Sequence, residues 1–265
     1  SGTLMDKETG KAVLADGKEI TASTTFTPEK SEGSVDVIFT FDASVVAPKT
    51  VVAFETLTYK KIQIAVHADI EDKDQTVYIT TIRTSAKDNV TGINHTEADK
   101  EVTITDTVTY KGLEVGREYT VSGTLMNQRT GAKILVNGKP VTASTTFTAE
   151  KKEGSVEVVF AFDASALEGT TTVVYEKLYT ENKEVAAHTD INDKGQTIYI
   201  PKVRTTAIAD DTKDHVTEAK KNVTIVDTVS YEGLEVGREY TVKGVLMNKA
   251  TGETITINGE EVTAE

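Results

Sequence analysis

Two of the four histidines, His67 and His188, stand eight residues ahead of a glutamine, Gln75 and Gln196. An imidazole titrates near neutrality, so a histidine kept at a fixed distance from a carboxamide can take part in proton transfer as well as in structural hydrogen bonding. Upstream of each histidine a glutamate ends an apolar run, Glu55 in Val52-Ala53-Phe54-Glu55 and Glu176 in Val173-Val174-Tyr175-Glu176. A carboxylate among such neighbours is costly unless it is paired or protonated. Asp106, in Thr103-Ile104-Thr105-Asp106-Thr107-Val108, and Asp227 in the matching later segment repeat that pattern.

Other chemistry is poorly served. Cysteine is absent, so thiol nucleophiles, thiolate metal sites and disulfides are excluded. The Asp69/Asp72/Asp74 cluster could suggest calcium, but its later counterpart is Asp190/Asp193/Gly195, which loses a ligand and lacks the spacing of an EF-hand loop. It reads as a solvated turn, and neither a metal nor another cofactor is expected. Glycine patterns of phosphate-binding loops are missing.

These residues recur because the chain repeats. Ser1-Gly2-Thr3-Leu4-Met5 returns as Ser122-Gly123-Thr124-Leu125-Met126 and as Lys243-Gly244-Val245-Leu246-Met247, a period of 121 residues (122 − 1 and 243 − 122). The same offset carries Phe41-Asp42-Ala43-Ser44 onto Phe162-Asp163-Ala164-Ser165 and Leu113-Glu114-Val115-Gly116 onto Leu234-Glu235-Val236-Gly237. A unit this long can bury its own core, unlike a solenoid repeat. Thr81-Ile82-Arg83 and Lys202-Val203-Arg204 read as connectors. They give one complete domain over 84–201, the later part of a truncated copy over 1–80 and the earlier part of another over 205–265.

The elements that must position the site are strands. Valine, isoleucine and threonine abound, and short alternating runs lie between turn signals such as Thr130-Gly131, Asn137-Gly138 and Lys194-Gly195. Strands are predicted near 101–110, 118–126, 133–148, 154–162, 171–179, 184–188 and 196–200. Seven antiparallel strands in one repeat predict an all-β chain of tandem immunoglobulin-like sandwiches. With two or three connecting residues the array should be stiff.

Taken together, Ile82-Arg83-Thr84-Ser85-Ala86, Asp106-Thr107-Val108-Thr109-Tyr110, Gly123-Thr124-Leu125-Met126, Val174-Tyr175-Glu176-Lys177-Leu178 and His188…Asp190…Gln196-Thr197 resemble the threonine–glutamine ester-bond domains that build stalks of Gram-positive surface adhesins. The resemblance implies a self-made cross-link in which a threonine hydroxyl attacks a glutamine amide and ammonia leaves. It implies Thr84 as nucleophile, Gln196 as electrophile, His188 as base, and Asp106 and Glu176, one of them protonated, beside the oxyanion and the leaving amine. Thr81 and Ser85 are near neighbours of Thr84, but only position 84 is threonine in both copies, as Thr205. Glu55, His67 and Gln75 form one half-site in the truncated copies, and Thr205 with Asp227 form another. Such pieces could be poorly folded in isolation or could complement one another between chains.

The resemblance further implies a cell-wall-anchored extracellular protein whose anchor and adhesive ligand contacts, to a host or surface ligand, lie outside this chain. A formal charge of −13 with scattered basic residues argues against nucleic acid. No apolar stretch is long enough to cross a bilayer, and Ser1–Met5 lacks the layout of a secretion signal. Two other readings stand beside the stalk module. A ligand-binding sandwich would call for an exposed aromatic cluster in adjacent loops, which is not seen. A lysine–asparagine isopeptide domain needs a buried amide, whereas the recurring Asn127/Asn248 and Asn137/Asn258 read as turn residues. An enzyme acting on external substrates is disfavoured, because the constellation contains its own electrophile and would be consumed.

Overall fold

Alternation of buried and exposed side chains builds the two main sheets of the complete copy from eight strands: β1 (Thr81–Asp88), β2 (Val102–Lys111), β3 (Glu118–Asn127), β4 (Thr142–Thr148), β5 (Glu153–Phe162), β6 (Thr170–Thr180), β7 (Lys183–His188) and β8 (Thr197–Ile200). The computed structural model describes all of residues 1–265. One sheet has the order β4-β3-β6-β7 with β8 also on β6, and the other has the order β5-β2-β1, all antiparallel. Their inner faces share one apolar core that includes Ile104, Val108, Phe160, Leu125, Leu178 and Ile198. The chain is all-β, and this copy is an immunoglobulin-like sandwich.

The two-residue period decides which side chains enter the core. On β2 the inward row reads Val102, Ile104, Asp106, Val108, Tyr110, and on β6 it includes Val174, Glu176 and Leu178. Both carboxylates therefore occupy places that the alternation reserves for apolar residues. On β1 the inward row is Ile82, Thr84, Ala86, Asp88, while Ser85 points to the exposed side. On β3 it is Tyr119, Val121, Gly123, Leu125.

Two local expectations change. Thr81, Ile82 and Arg83 are not connectors. They open β1, paired with Lys111, Tyr110 and Thr109, and Ile82 is buried because its place on the inward row is apolar. Lys202–Arg204 likewise open the strand Lys202–Ala209. The run 133–148 is not continuous either. Asn137 and Gly138, with φ of 52° and 75°, fold Leu135–Val136 back on Lys139–Pro140 before β4 begins.

Residues Ser1–Gly233 form one compact unit. Within it, residues 1–79 reproduce the first sheet, with Gly2–Asp6 between Thr21–Ala22 and Thr50–Tyr59, and with Ile62–His67 and Thr76–Tyr78 on the latter. Residues 1–79 hold no counterparts of β1 and β2, and apolar residues such as Ile38 and Ile64 are exposed here. Lys202–Ala209 pairs with Ile225–Glu232 in the register of β1 with β2. Leu234–Glu265 form a second unit of short paired strands, Gly244–Val245 with Thr263–Ala264 and Thr256–Ile257 with Glu260–Glu261. No helix is long and apolar enough to cross a membrane.

Candidate functional site

Thr84, on the first strand, and Gln196, just ahead of the last, are brought into contact. The Gln196 amide nitrogen donates to the Thr84 hydroxyl, across 112 residues of sequence. Gln196 is fully buried and immediately precedes β8, where Val174 N–H donates to its carbonyl at 3.0 Å. On the other side, Ala86 N–H donates to Gly195 O at 2.9 Å, so β1 is tied to the glutamine segment by backbone as well as side chain.

Asp106 and Glu176 enter the same pocket, one from each sheet, and both are fully buried. Their four carboxyl oxygens and Gln196 Oε1 complete no hydrogen bond with a donor. Two carboxyls and an amide oxygen crowded into one dry pocket require a proton among them. Burial and the neighbouring Asp106 charge push Glu176 up to about 9. Burial also raises Asp106, opposed by the nearby Glu176, Thr84, Ser85 and Gln196 groups that favour its ionised form. Like charges in a dry pocket cannot both persist, so the pair holds a proton at neutral pH.

His188 is the cross-strand partner of Glu176 in the β6–β7 register. Its Nε2 lies 2.7 Å from Asp193 Oδ2, and the structure gives it no hydrogen bond to Thr84 or Gln196. Asp193 also accepts from Gly195 N–H at 2.7 Å through Oδ1, while its backbone carbonyl accepts from the Thr197 hydroxyl at 2.7 Å and from Gln196 N–H at 3.2 Å. Burial acts to raise the Asp193 pKa, but the His188 ring and these N–H groups outweigh it and hold the carboxyl below its ordinary range. Because the carboxylate accepts, the ring proton belongs on Nε2, and the lone pair is left on Nδ1.

Sequence reasoning passed over Asp193 as a member of a solvated turn. The available signal was its fixed place five residues after the histidine, shared by Asp72, which lies 2.8 Å from His67 Nε2. It also passed over Gly123. A side chain there would meet Glu176 Oε1 and Phe160 at 2.4 Å, so the glycine makes the space the carboxyl occupies. Its recurrence within the Gly-Thr-Leu-Met motif was the signal.

The half-sites are assembled only in part. Glu55 pairs with His67 across strands as Glu176 does with His188. With its amide nitrogen turned inward, Gln75 donates to Glu55 Oε2 at 2.8 Å and Ala53 O at 2.6 Å. Thr205 and Asp227 lie on the exposed Lys202–Ala209/Ile225–Glu232 hairpin, without a histidine or glutamine beside them.

The family model for a T-Q ester bond containing domain matches residues 1–79, 80–200 and 201–265, the whole chain. Among solved structures the chain is similar to a bacterial adhesin from Mobiluncus mulieris containing intramolecular disulfide, isopeptide and ester bond cross-links, at 16% identity and a TM-score of 0.39, covering 58% of this chain and 74% of that one. It is also similar to a putative beta-galactosidase from Bacteroides fragilis, at 13% identity and a TM-score of 0.34, covering 49% of this chain and 19% of that one. No curated protein matches the sequence.

Proposed function

The chain belongs to the T-Q ester bond containing domain family, and from that premise we propose that its complete copy closes itself with an ester between Thr84 and Gln196. The contact between Thr84 Oγ1 and the amide of the buried Gln196 carries this reading. Thr84 Oγ1 attacks Gln196 Cδ, and the hydroxyl proton passes to Nδ1 of His188, oriented by Asp193. The proton held by the Asp106–Glu176 pair stabilises the oxygen of the tetrahedral intermediate. The C–N bond then breaks, the departing nitrogen takes the proton from His188, ammonia leaves, and the ester remains. Juxtaposition of the reacting groups by the fold can supply on the order of 7–11 kcal/mol of the barrier. The reaction consumes its own electrophile, so it runs once per copy and the protein is not an enzyme with turnover.

The product suits a load-bearing module of an extracellular, cell-wall-anchored adhesin, with adhesive contacts supplied by regions outside this chain. The chain enters the complete copy through β1 and leaves after β8, and the ester would join the first of these strands to the segment leading into the last. Tension between the ends would then pass through a covalent bond that thiol reductants do not cleave. The same chemistry extends to complementation. The exposed 202–232 hairpin of one chain could complete residues 1–79 of another and join Thr205 to Gln75, and SDS-resistant dimers that persist in a Thr205→Ala variant would disprove it.

Intact mass under denaturing conditions tests the cross-link, because loss of ammonia lowers the mass by about 17 Da per bond. A deficit in the parent chain that is absent from Thr84→Ala, with a peptide pair joining Thr84 to Gln196, is the expected result. An undiminished parent mass in folded protein would overturn it.

A further inference from the structure

The turn that follows β1 does more than reverse the chain. Asp88, buried at the end of β1, accepts from Val90 N–H at 3.1 Å and Thr91 N–H at 2.7 Å, and the Thr91 hydroxyl donates to His95 O at 2.6 Å. The turn so fixed delivers Asn94-His95-Thr96 alongside β8. Tyr199 N–H donates to Asn94 O at 2.9 Å, Thr96 N–H donates to Tyr199 O at 3.0 Å, and His95 bridges Tyr199 in parallel. The His95 ring stacks on Tyr199 with centroids 4.9 Å apart and planes at 23°, and its Nδ1 lies 3.0 Å from Asn94 Oδ1. His95 is almost fully buried by these contacts.

This attachment brackets the reacting pair. Ala86, two residues beyond Thr84, holds Gly195, and Asn94–Thr96 hold Tyr199, so the Gly195–Tyr199 segment carrying Gln196 is fastened at both ends to the segment carrying Thr84. In the sandwich, β8 has only four residues and its ladder runs to β6. Before a covalent bond exists, these two fastenings flank the Gln196–Thr84 contact and tie β8 laterally to the β1 segment. We infer that Asn94-His95-Thr96 is a positioning clamp, with His95 as its key residue, which seats the last strand against the first and so sets the rate at which Thr84 reaches Gln196. The position equivalent to His95 in the following copy is Val216, and its turn forms the short Ala209–Asp214 bridge.

The inference rests on the ester reading for its consequence but not for its geometry, and two measurements on the full chain separate them. In cell-free synthesis quenched at intervals and read by intact mass, His95→Ala should slow ester formation about tenfold or more, since misplacement of reacting groups by about an ångström costs on the order of a hundredfold. His95→Phe, which keeps the stacking surface, should restore the parent rate to within about threefold. In the Thr84→Ala background, where no ester can form, His95→Ala should speed hydrogen exchange at the Tyr199 and Thr96 amides about tenfold while the Val108 and Phe160 amides stay protected. Ester formation at the parent rate in His95→Ala overturns the clamp. So does unchanged exchange at Tyr199, or a loss of protection shared by Val108 and Phe160. If the parent itself carries no mass deficit, the ester reading fails and the exchange measurement alone decides the clamp.

Discussion

Glu176 and Asp106 reach one pocket from opposite sheets, and neither has any exposed surface. A sandwich core made only of the apolar residues around them would be more stable, since each buried carboxyl forfeits its hydration and completes no hydrogen bond here. The fold therefore carries a site whose cost becomes intelligible once Thr84 and Gln196 lie beside it. Retaining a proton there keeps the pair from repelling itself and supplies the donor that the Gln196 carbonyl oxygen lacks.

That retained proton makes stability depend on pH in a defined direction. Glu176 sits at about 9 in the folded chain against an ordinary value of 4.5. Between those values the folded state holds a proton that the unfolded state has released, so unfolding free energy falls as pH rises through the window. The stabilisation is fully present only below the unfolded value. In the Thr84→Ala chain, free of the ester, the denaturation midpoint of the complete copy should decline from about pH 5 to about pH 9. Glu176→Gln in that background should flatten the decline. A midpoint that rises over the same interval would contradict the assignment.

Gly123→Ala should disable the site without touching a reacting atom. Its Cβ would fall 2.4 Å from both Glu176 Oε1 and Phe160 Cζ, and 3.0 Å from Glu176 Cδ. Either the carboxyl leaves the pocket or β3 shifts away from β6. We expect a destabilisation of about 1–3 kcal/mol from overpacking together with loss of the mass deficit. Retention of both stability and ester would show that the pocket has room to spare.

Much of this arrangement could be read from the sequence because the period of a strand exposes misfits. Asp106 and Glu176 were visible as charges in apolar rows, and His188 and Gln196 were visible through their fixed spacing and recurrence. What could not be read was anything requiring the third dimension. Thr81–Arg83 look like a connector because a mixed polar triplet carries no mark of the strand across the sheet that recruits it. Asp193 resembles any turn aspartate until the His188 ring is found against it. The histidine at position 95 does not recur, its counterpart being Val216, so recurrence could not flag it, and only the pairing of its turn with β8 reveals its neighbours.

Asp193→Asn tests the orientation of His188 separately from the turn. The amide oxygen can still accept from Gly195 N–H, which Asp193 holds at 2.7 Å, but it cannot stabilise an imidazolium as the carboxylate does. Analogous changes in nucleophile–histidine–aspartate systems cost on the order of a hundredfold to ten-thousandfold in rate. Ester formation should slow to that extent while the midpoint of the uncross-linked fold hardly moves. A rate equal to that of the parent would remove His188 from the mechanism, since its one hydrogen-bond partner would then be dispensable.

Thr84→Ala gives the mechanical side of the same argument. Closing a loop with ends 112 residues apart removes conformational entropy from the unfolded chain, worth about 4–5 kcal/mol by the chain-entropy relation for cross-links. For a domain of this size that corresponds to a thermal midpoint lower by roughly 15–25 °C in the variant. Because the bond links β1 to the segment leading into β8, the contrast should be larger still under force. The parent copy should resist extension until the covalent bond fails, whereas the variant should unravel as a hydrogen-bonded sandwich. Single-molecule pulling on the full chain reads this directly: an added contour length from the 80–200 segment should appear in Thr84→Ala and be missing in the parent. If both chains release that length at similar force, the ester is not what carries the load.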